Sequence, residues 1–327
     1  MRAIIADEFG GPEVLRPGET QKPGLQPGEV LVKVRYAGVN FADTLFRANI
    51  VPSLPMSLPH IPGFEASGVV EKVGPGVEGL VSGDKALVSL LGRLPRLGCY
   101  AEYVAAPLDA VIRVPADIDL AEALCMTHAV YARQLLEATV RPGDSVLVSA
   151  AAGGVGAYCM QLAPRFGAAA VFGGVGSDEK RMLLEGRGFQ AVNYGDPDWP
   201  RRLIDLTGGS GVTLVLSSIT GDFLRQSQRA LLAQGGRIVV FGGNGDSSEV
   251  VIDVRELSAR RQSILSNPAQ LDAASRLEAY EALFELLRKG GLRYIDRTVL
   301  PLDRAAEAHR RIGDRANVGK FLLEVAP

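Results

Sequence analysis

The chain has 327 residues, with 35 Lys and Arg against 37 Asp and Glu, a formal net charge of −2 and an apolar share of 47%. That length is enough for two domains with separate cores, and the composition excludes a disordered, fibrous or coiled-coil protein. A near-neutral balance offers no electrostatic attraction to nucleic acid or to an anionic membrane surface, so neither is expected as a partner.

The opening residues, MRAIIADEFGG, reach Asp7 and Glu8 after a short apolar stretch, and no apolar run of membrane-spanning length follows. Up to about Leu120 the chain reads as short β-rich stretches (29–40, 66–74, 84–91 and 100–107) between Pro and Gly turns, with no long helix among them. That is the texture of a β-barrel or sandwich. The period then changes. Short apolar strands at 145–150, 168–174, 190–194, 212–218 and 237–243 alternate with helical segments, which predicts a doubly wound parallel sheet. Pro164 should kink or end the helix that follows the first of these strands, because it has no N–H and its ring meets the carbonyl of Met160. A late helix over 272–291 carries Leu277, Tyr280, Leu283, Phe284 and Leu287 on one inward stripe and stops at Lys289, Gly290 and Gly291. Cys99, Cys125 and Cys159 are odd in number and widely spaced, which argues against a disulfide framework and for a cytoplasmic protein.

Thirty-eight glycines in no fixed period must be tight turns and close backbone approaches. The densest run is Ala150-Ala151-Ala152-Gly153-Gly154-Val155-Gly156, directly after an apolar strand and at the opening of a helix. This is a dinucleotide fingerprint with Ala150 in the first glycine position: small residues admit the pyrophosphate to the backbone, and the helix N-terminus offers its unpaired N–H groups. An NAD enzyme places Asp or Glu at the end of the second strand to hold the ribose 2′-OH. Here the strand end reads Phe172-Gly173-Gly174-Val175-Gly176, with Ser177 and Lys180 beyond it. A missing acid and an available cation favour a 2′-phosphate, hence NADPH, and Tyr194 at the end of the third strand could close over that phosphate. The competing readings are a helix N-cap for Ser177 and a solvated helix residue for Lys180.

These features, with AGVNFADTLFR (37–47), PGFEASGVVEKVGPGV (62–77), GDKAL (83–87), YAEYV (100–104), VNYGD (192–196), GGRIVVFGG (235–243) and a terminal GK (319–320), resemble the zinc-free medium-chain dehydrogenase/reductases of the quinone oxidoreductase type. The resemblance runs essentially end to end. It implies an α/β fold class, with a GroES-like β-barrel domain over residues 1–122 and 268–327 and a Rossmann doubly wound parallel-sheet domain over 123–267. It places NADPH contacts on Asn40, Ala152, Gly153, Gly154, Val155, Gly156, Ser177, Lys180, Tyr194, Phe241, Gly242 and Lys320. It also implies a homodimer, with the apolar run at 261–267 as an exposed edge strand.

Zinc-bearing relatives supply three catalytic ligands. The first two positions correspond here to Asn40 and Phe64, and only Cys125 remains at the third, so no metal is expected and Cys125 and Cys159 read as small buried hydrophobes. Without a Lewis acid the hydride acceptor must be electrophilic itself, as a quinone or an α,β-unsaturated carbonyl is. Asn40 and His128 are the candidate catalytic residues. His128 would give a proton to the reduced acceptor, against the alternative of a packed helix residue. His60 and His309 read as structural or solvated, and Asp43 as fixing its loop by accepting backbone hydrogen bonds. The chain departs from the quinone reductase pattern at Leu45, where a Tyr is common, at Ser217, where an Asp is common, and at His128-Ala129. An enoyl reductase acting on a CoA- or carrier-bound substrate is the alternative; Lys85, Arg93 and Arg96 would then contribute to a basic groove. A non-catalytic nucleotide-binding protein of the same fold is the second alternative.

Overall fold

Glu29–Val39, EVLVKVRYAGV, is a strand buried along most of both faces, and it acts as a hub. It pairs antiparallel with Glu65–Val73 along one edge; along the other its first half pairs with Tyr103–Pro107 and its last residues pair with Lys320–Glu324. The strands Lys85–Ser89, Val111–Arg113 and Arg297–Pro301 complete a seven-stranded sheet around one apolar core. Register brings distant residues together: Phe321 lies opposite Val39, which sets Lys320 beside Asn40 at the strand end.

The computed structural model describes residues 1–51, 54–93, 98–228, 232–244, 251–268, 273–293 and 295–325. The chain divides into two units, one of Met1–Thr127, Leu271–Arg288 and Arg293–Pro327, the other of His128–Gln270 and Lys289–Leu292. The second unit holds a six-stranded sheet, every pairing of which is parallel. Numbered within this sheet by their place in the chain, Ser145–Val148, Ala170–Val175, Gln190–Asn193, Val212–Ile219, Leu232–Asn244 and Ser263–Ser266 lie side by side in the order 3-2-1-4-5-6. That is the dinucleotide-binding order, whose ligand site lies beyond the carboxyl ends of the strands where the order reverses. Buried residues of these strands, among them Leu147, Phe172, Val192, Val215 and Ile238, form a core with Trp199, which stacks on Phe223.

Helix ends follow local chemistry. The helix Gly154–Leu162 stops two residues before Pro164, and the chain continues as a 3-10 turn, Ala163–Phe166, which tolerates proline near its start. The helix Ala273–Arg288 forms as expected, but its inward stripe is shifted by one residue. Arg276, Ala279, Tyr280, Leu283 and Phe284 are buried while Leu277 is 47% exposed. Position 276 lies four residues before Tyr280 on the same face, and there Arg276 donates to the Asp109 carbonyl. Cys99, Cys125 and Cys159 are buried free thiols, and burial pushes Cys125 up to about 11 and Cys159 up to about 12. Among the described residues no helix is long and apolar enough to cross a membrane.

One buried ion pair ties the first strand of the parallel sheet to the fifth. Arg237 Nη2 lies 2.5 Å from Asp144 Oδ2, and Arg237 Nη1 donates to the Thr139 carbonyl at 2.8 Å. Asp144 also accepts from the Arg141 N–H and the Thr213 hydroxyl. Burial works against its charge, and these donors together hold its carboxyl below the usual range, so its contribution is present above that range and fades as pH falls through it. In urea titrations at neutral pH, Asp144→Ala is expected to cost about 3–5 kcal/mol because it strands a buried guanidinium, whereas Asp144→Leu with Arg237→Met costs much less.

Candidate active site

In the second unit the strand Ser145–Val148 gives way to a turn in which Ala150 takes a left-handed φ of +48°, a conformation costing about 1 kcal/mol in a residue with a Cβ. Gly153 N–H closes the turn onto the Ala150 carbonyl at 2.8 Å, and Ala151 N–H bonds across to the Gly174 carbonyl at 3.0 Å. Gly153 caps the helix, so the first-turn N–H groups of Gly154, Val155 and Gly156 have no partner within it. A Cβ on Gly156 would stand 2.4 Å from the Ala150 carbonyl oxygen, and one on Gly154 would stand 1.9 Å from His128 Nδ1. The fingerprint is thus a backbone cradle with a histidine ring resting on it. Ala152 is buried beneath the cradle, and Gly153, Gly154 and Val155 are part-exposed.

Tyr194 occupies the ends of the neighbouring strands. Its N–H donates to the Val175 carbonyl at 2.8 Å, and its ring packs edge-on against Phe223. Its ring also lies over the second strand's end, since a Cβ on Gly176 would meet its Oη at 3.2 Å and one on Gly174 its Cδ1 at 3.6 Å. No carboxylate stands on that strand end. Ser177 caps the next helix by accepting the Lys180 N–H, and the nearest acid, Asp178, pairs with Arg181. Lys180 is part-buried, and burial lowers its ammonium from the ordinary lysine value. Tyr131 donates to the Phe241 carbonyl at 3.3 Å, and Gly242 runs so close to Ser218 that a Cβ there would lie 3.1 Å from the Ser218 Cβ. Ser217 turns its hydroxyl inward onto the Ile219 carbonyl.

In the first unit Asn40 caps the helix Phe41–Arg47, and Asp43 Oδ2 accepts the Asn40 N–H at 2.8 Å, the backbone role expected of it. Lys320 Nζ lies 2.8 Å from Glu65 Oε2 and 3.1 Å from Asn40 Oδ1, with the Thr127 hydroxyl at 3.5 Å. The Lys320 side chain is fully buried. Sequence reasoning placed this lysine among the cofactor contacts; the structure gives its ammonium interior partners, because a buried ammonium requires a counter-charge.

Of the two readings open for His309, structural or solvated, the structure shows the structural one. The residue is neither solvated nor isolated, being 1% exposed with Nδ1 at 3.1 Å from Arg47 Nη1 and Nε2 at 3.1 Å from the Tyr100 hydroxyl. Burial, with the Arg47 charge beside it, pushes its imidazole down to about 3. Glu65, Tyr100, Arg47 and Thr127 were not picked out from sequence, and the one available signal was an acid inside an otherwise apolar strand, GFEASGVV. His60 is half-buried and bonds the Ser57 carbonyl through Nδ1. Lys85 is held by the Ala116 and Ile118 carbonyls and Arg93 by Asp109, so neither is left for a basic groove; Arg96 lies outside the described residues. Among the described residues no three His, Cys, Asp or Glu side chains converge as a metal site.

Residues 26–116 match the alcohol dehydrogenase GroES-like domain and residues 154–291 match the family described as zinc-binding dehydrogenase. The chain is 33% identical to a 2-haloacrylate reductase of a Burkholderia species, covering 98% of each chain. It is 30% identical to the quinone oxidoreductase of Rattus norvegicus over 99% of this chain and 97% of that one. Its structure matches that of the Escherichia coli quinone oxidoreductase complexed with NADPH, with a TM-score of 0.89 and 29% identity over 99% of this chain and 100% of the other.

The contact between Gly154 and His128 makes a double-mutant cycle informative. Gly154→Ala alone should lower the unfolding free energy by about 1–3 kcal/mol, as overpacking does. On a His128→Ala background the same change should cost less than about 1 kcal/mol, because the space is then vacant. Equal costs in the two backgrounds would mean that the ring does not rest on the glycine.

Proposed function

Because the chain belongs to the zinc-free, quinone oxidoreductase-like group of the medium-chain dehydrogenases/reductases, we propose that it is an NADPH-dependent reductase of quinones or of activated, α,β-unsaturated carbonyl compounds. The observation that carries this reading is the acid-free strand end beside an intact glycine cradle. The residues fit the cofactor. Gly153, Gly154, Val155 and Gly156, over Ala152, offer N–H groups to the pyrophosphate. Ser177, Lys180 and Tyr194 surround the place of a 2′-phosphate, where an aspartate or glutamate would repel it. Phe241 and Gly242 border the same strand ends. NADPH would supply hydride from its nicotinamide ring.

The chain's own groups orient the acceptor and manage charge. Asn40 is proposed to hydrogen-bond a reacting oxygen. Lys320 has only donors, so it fixes the Asn40 amide with Oδ1 inward and turns the amide nitrogen away from itself. His128 is the proposed proton donor to the reduced acceptor. The likeness to a reductase named for a haloacrylate favours activated alkenes as acceptors alongside quinones. The carrier-bound alternative loses its basic groove at Lys85 and Arg93. We also read the protein as a homodimer that extends its parallel sheet through the edge strand Ser263–Ser266, where Leu265 is 46% exposed. Its three free thiols suit the reducing cytoplasm.

NADPH oxidation by the purified protein should require an acceptor and proceed with benzoquinone, with an α,β-unsaturated ketone, or with both. Dialysis against a chelator should leave the rate unchanged. NADPH binding without turnover on any acceptor would favour the non-catalytic alternative. Lys180→Ala should weaken NADPH binding about ten- to a hundredfold while leaving NADH binding nearly unchanged, the loss of one charge-assisted contact. Leu265→Lys should shift sedimentation toward the monomer if the edge strand pairs two copies.

A further inference from the structure

The first unit buries two carboxyl groups against one ammonium. Glu65 takes the closer share of Lys320, at 2.8 Å, and also accepts the Thr127 hydroxyl at 3.1 Å. Asp43, 1% exposed, is the carboxyl left over. Its Oδ2 accepts the Asn40 backbone N–H, and its Oδ1 closes no hydrogen bond among the described residues. Beyond its own turn, the groups around this carboxyl include Glu65, Lys320, Cys99 and the Tyr100 hydroxyl.

Donor bookkeeping gives the chain behind Tyr100 a direction. A guanidinium has only N–H groups to offer, so Arg47 Nη1 donates to His309 Nδ1. The neutral ring then carries its proton on Nε2 and donates it to the Tyr100 oxygen. The Tyr100 oxygen is occupied as an acceptor, which leaves its own hydroxyl proton available to face Asp43. Arg47 is itself anchored by donating to the Gly10 carbonyl at 2.9 Å. His309 does not relay protons, since a second proton on its ring would face the Arg47 charge.

We propose that Asp43 is a titrating positioning residue: it holds a proton inside the barrel, the Arg47–His309–Tyr100 chain favours its release, and its ionisation sets how firmly Asn40 is fixed. This rests on the reading of Asn40 as a reaction-site residue. The groups that face Asp43 are Glu65 from one strand, Lys320 from another, Cys99 and Tyr100 from the loop before Tyr103–Pro107, and Asn40 from its own helix cap. His309 on the helix Ala305–Gly313 and Arg47 act through Tyr100.

Burial first, and then the Glu65 charge, push Asp43 up to about 7; the Asn40 N–H and Lys320 pull the other way. The ionised carboxylate grips the Asn40 N–H in a charge-assisted bond about twice as strong as a neutral one. The folded chain therefore binds one more proton than the unfolded chain between 3.8 and about 7. Stability from this group falls as pH rises through that window and levels off above it.

Two readouts test this. Thermal unfolding of the wild type should show Tm falling between about pH 4 and pH 7 and levelling above, and Asp43→Asn, which keeps an oxygen for the Asn40 N–H but cannot titrate, should flatten that fall. In steady-state reduction with saturating NADPH and quinone, kcat should rise in one step as Asp43 ionises. The midpoint should be near 7 in the wild type, higher in Tyr100→Phe, which lacks the hydroxyl donor, and the step should be absent in Asp43→Asn. Should Asp43→Asn not fold, infrared spectra of aspartate-labelled wild type and Tyr100→Phe decide the matter. A protonated-carboxyl band should vanish with the same midpoint and move up in the variant. A titration step that survives Asp43→Asn with the wild-type midpoint, a Tm profile parallel to the wild type, or no such carboxyl band overturns the proposal. Failure of the reductase reading would show separately, as absent turnover with the Tm profile intact.

Discussion

The pairing of Lys320 with Glu65 is the constraint around which the first unit is arranged. The two residues are 255 positions apart, and each lies where a strand begins. Bringing them together requires the C-terminal strand to lie against the hub strand in the observed register. It also requires space, because a Cβ on Gly38 would meet Glu65 Oε2 at 2.8 Å and Lys320 Cε at 3.1 Å. The preceding Gly319 takes a φ of +66°, and a Cβ there would run into the Asp296 carbonyl at 1.7 Å. Removing either charge would strand the other in the interior, at a cost of about 3–5 kcal/mol. The pair is thus a condition of how the strands meet, and Asn40 inherits its orientation from it.

The second unit uses glycine for the same purpose, as space for a neighbour. Gly154 yields to the His128 ring, Gly156 to the Ala150 carbonyl, and Gly174 and Gly176 to Tyr194. The glycine loop proposed to admit a pyrophosphate also lets one histidine lie against the backbone, and the glycines at the second strand's end do the same for one tyrosine. The same loop holds Ala150 left-handed, with Gly156 packed close against its carbonyl.

Much of this was legible in the chain because the information was local. The five strands of the parallel sheet from Ser145 to Asn244, the helix stop before Pro164, the fingerprint and the Ser177 cap depend on residues within a few positions of one another. What was not legible depends on partners supplied by the fold. The GK at 319–320 was visible as a motif, but the meaning of Lys320 lay in Glu65. His309 sits in AAEAHRRI, flanked by Arg310 and Arg311, and local sequence does not decide between a structural and a solvated role until Tyr100 and Arg47 are brought to it. The stripe of the late helix was read from Leu277 because apolar residues were counted, while the fold buries the stem of Arg276 one position earlier and gives its head a carbonyl. Sequence periodicity locates a face to within a residue; which residue turns inward is decided by what it meets.

The interior of the first unit also limits the chemistry open to the proposed reaction. A zinc ion would polarise a carbonyl directly, but an amide at position 40 and a phenyl ring at position 64 cannot replace the ligands it needs. A positive charge does stand nearby, on Lys320. It is held by Glu65, enclosed, and directed at the Asn40 amide oxygen. A charge fixed in that way cannot move to an oxygen as negative charge develops there. In the proposed reaction it orients the Asn40 amide instead. Hydrogen bonding from an amide stabilises developing charge less than a metal does, so under this reading the acceptor has to bring its own electrophilicity. A quinone or an alkene conjugated to a carbonyl or carboxylate does so, and a simple ketone does not.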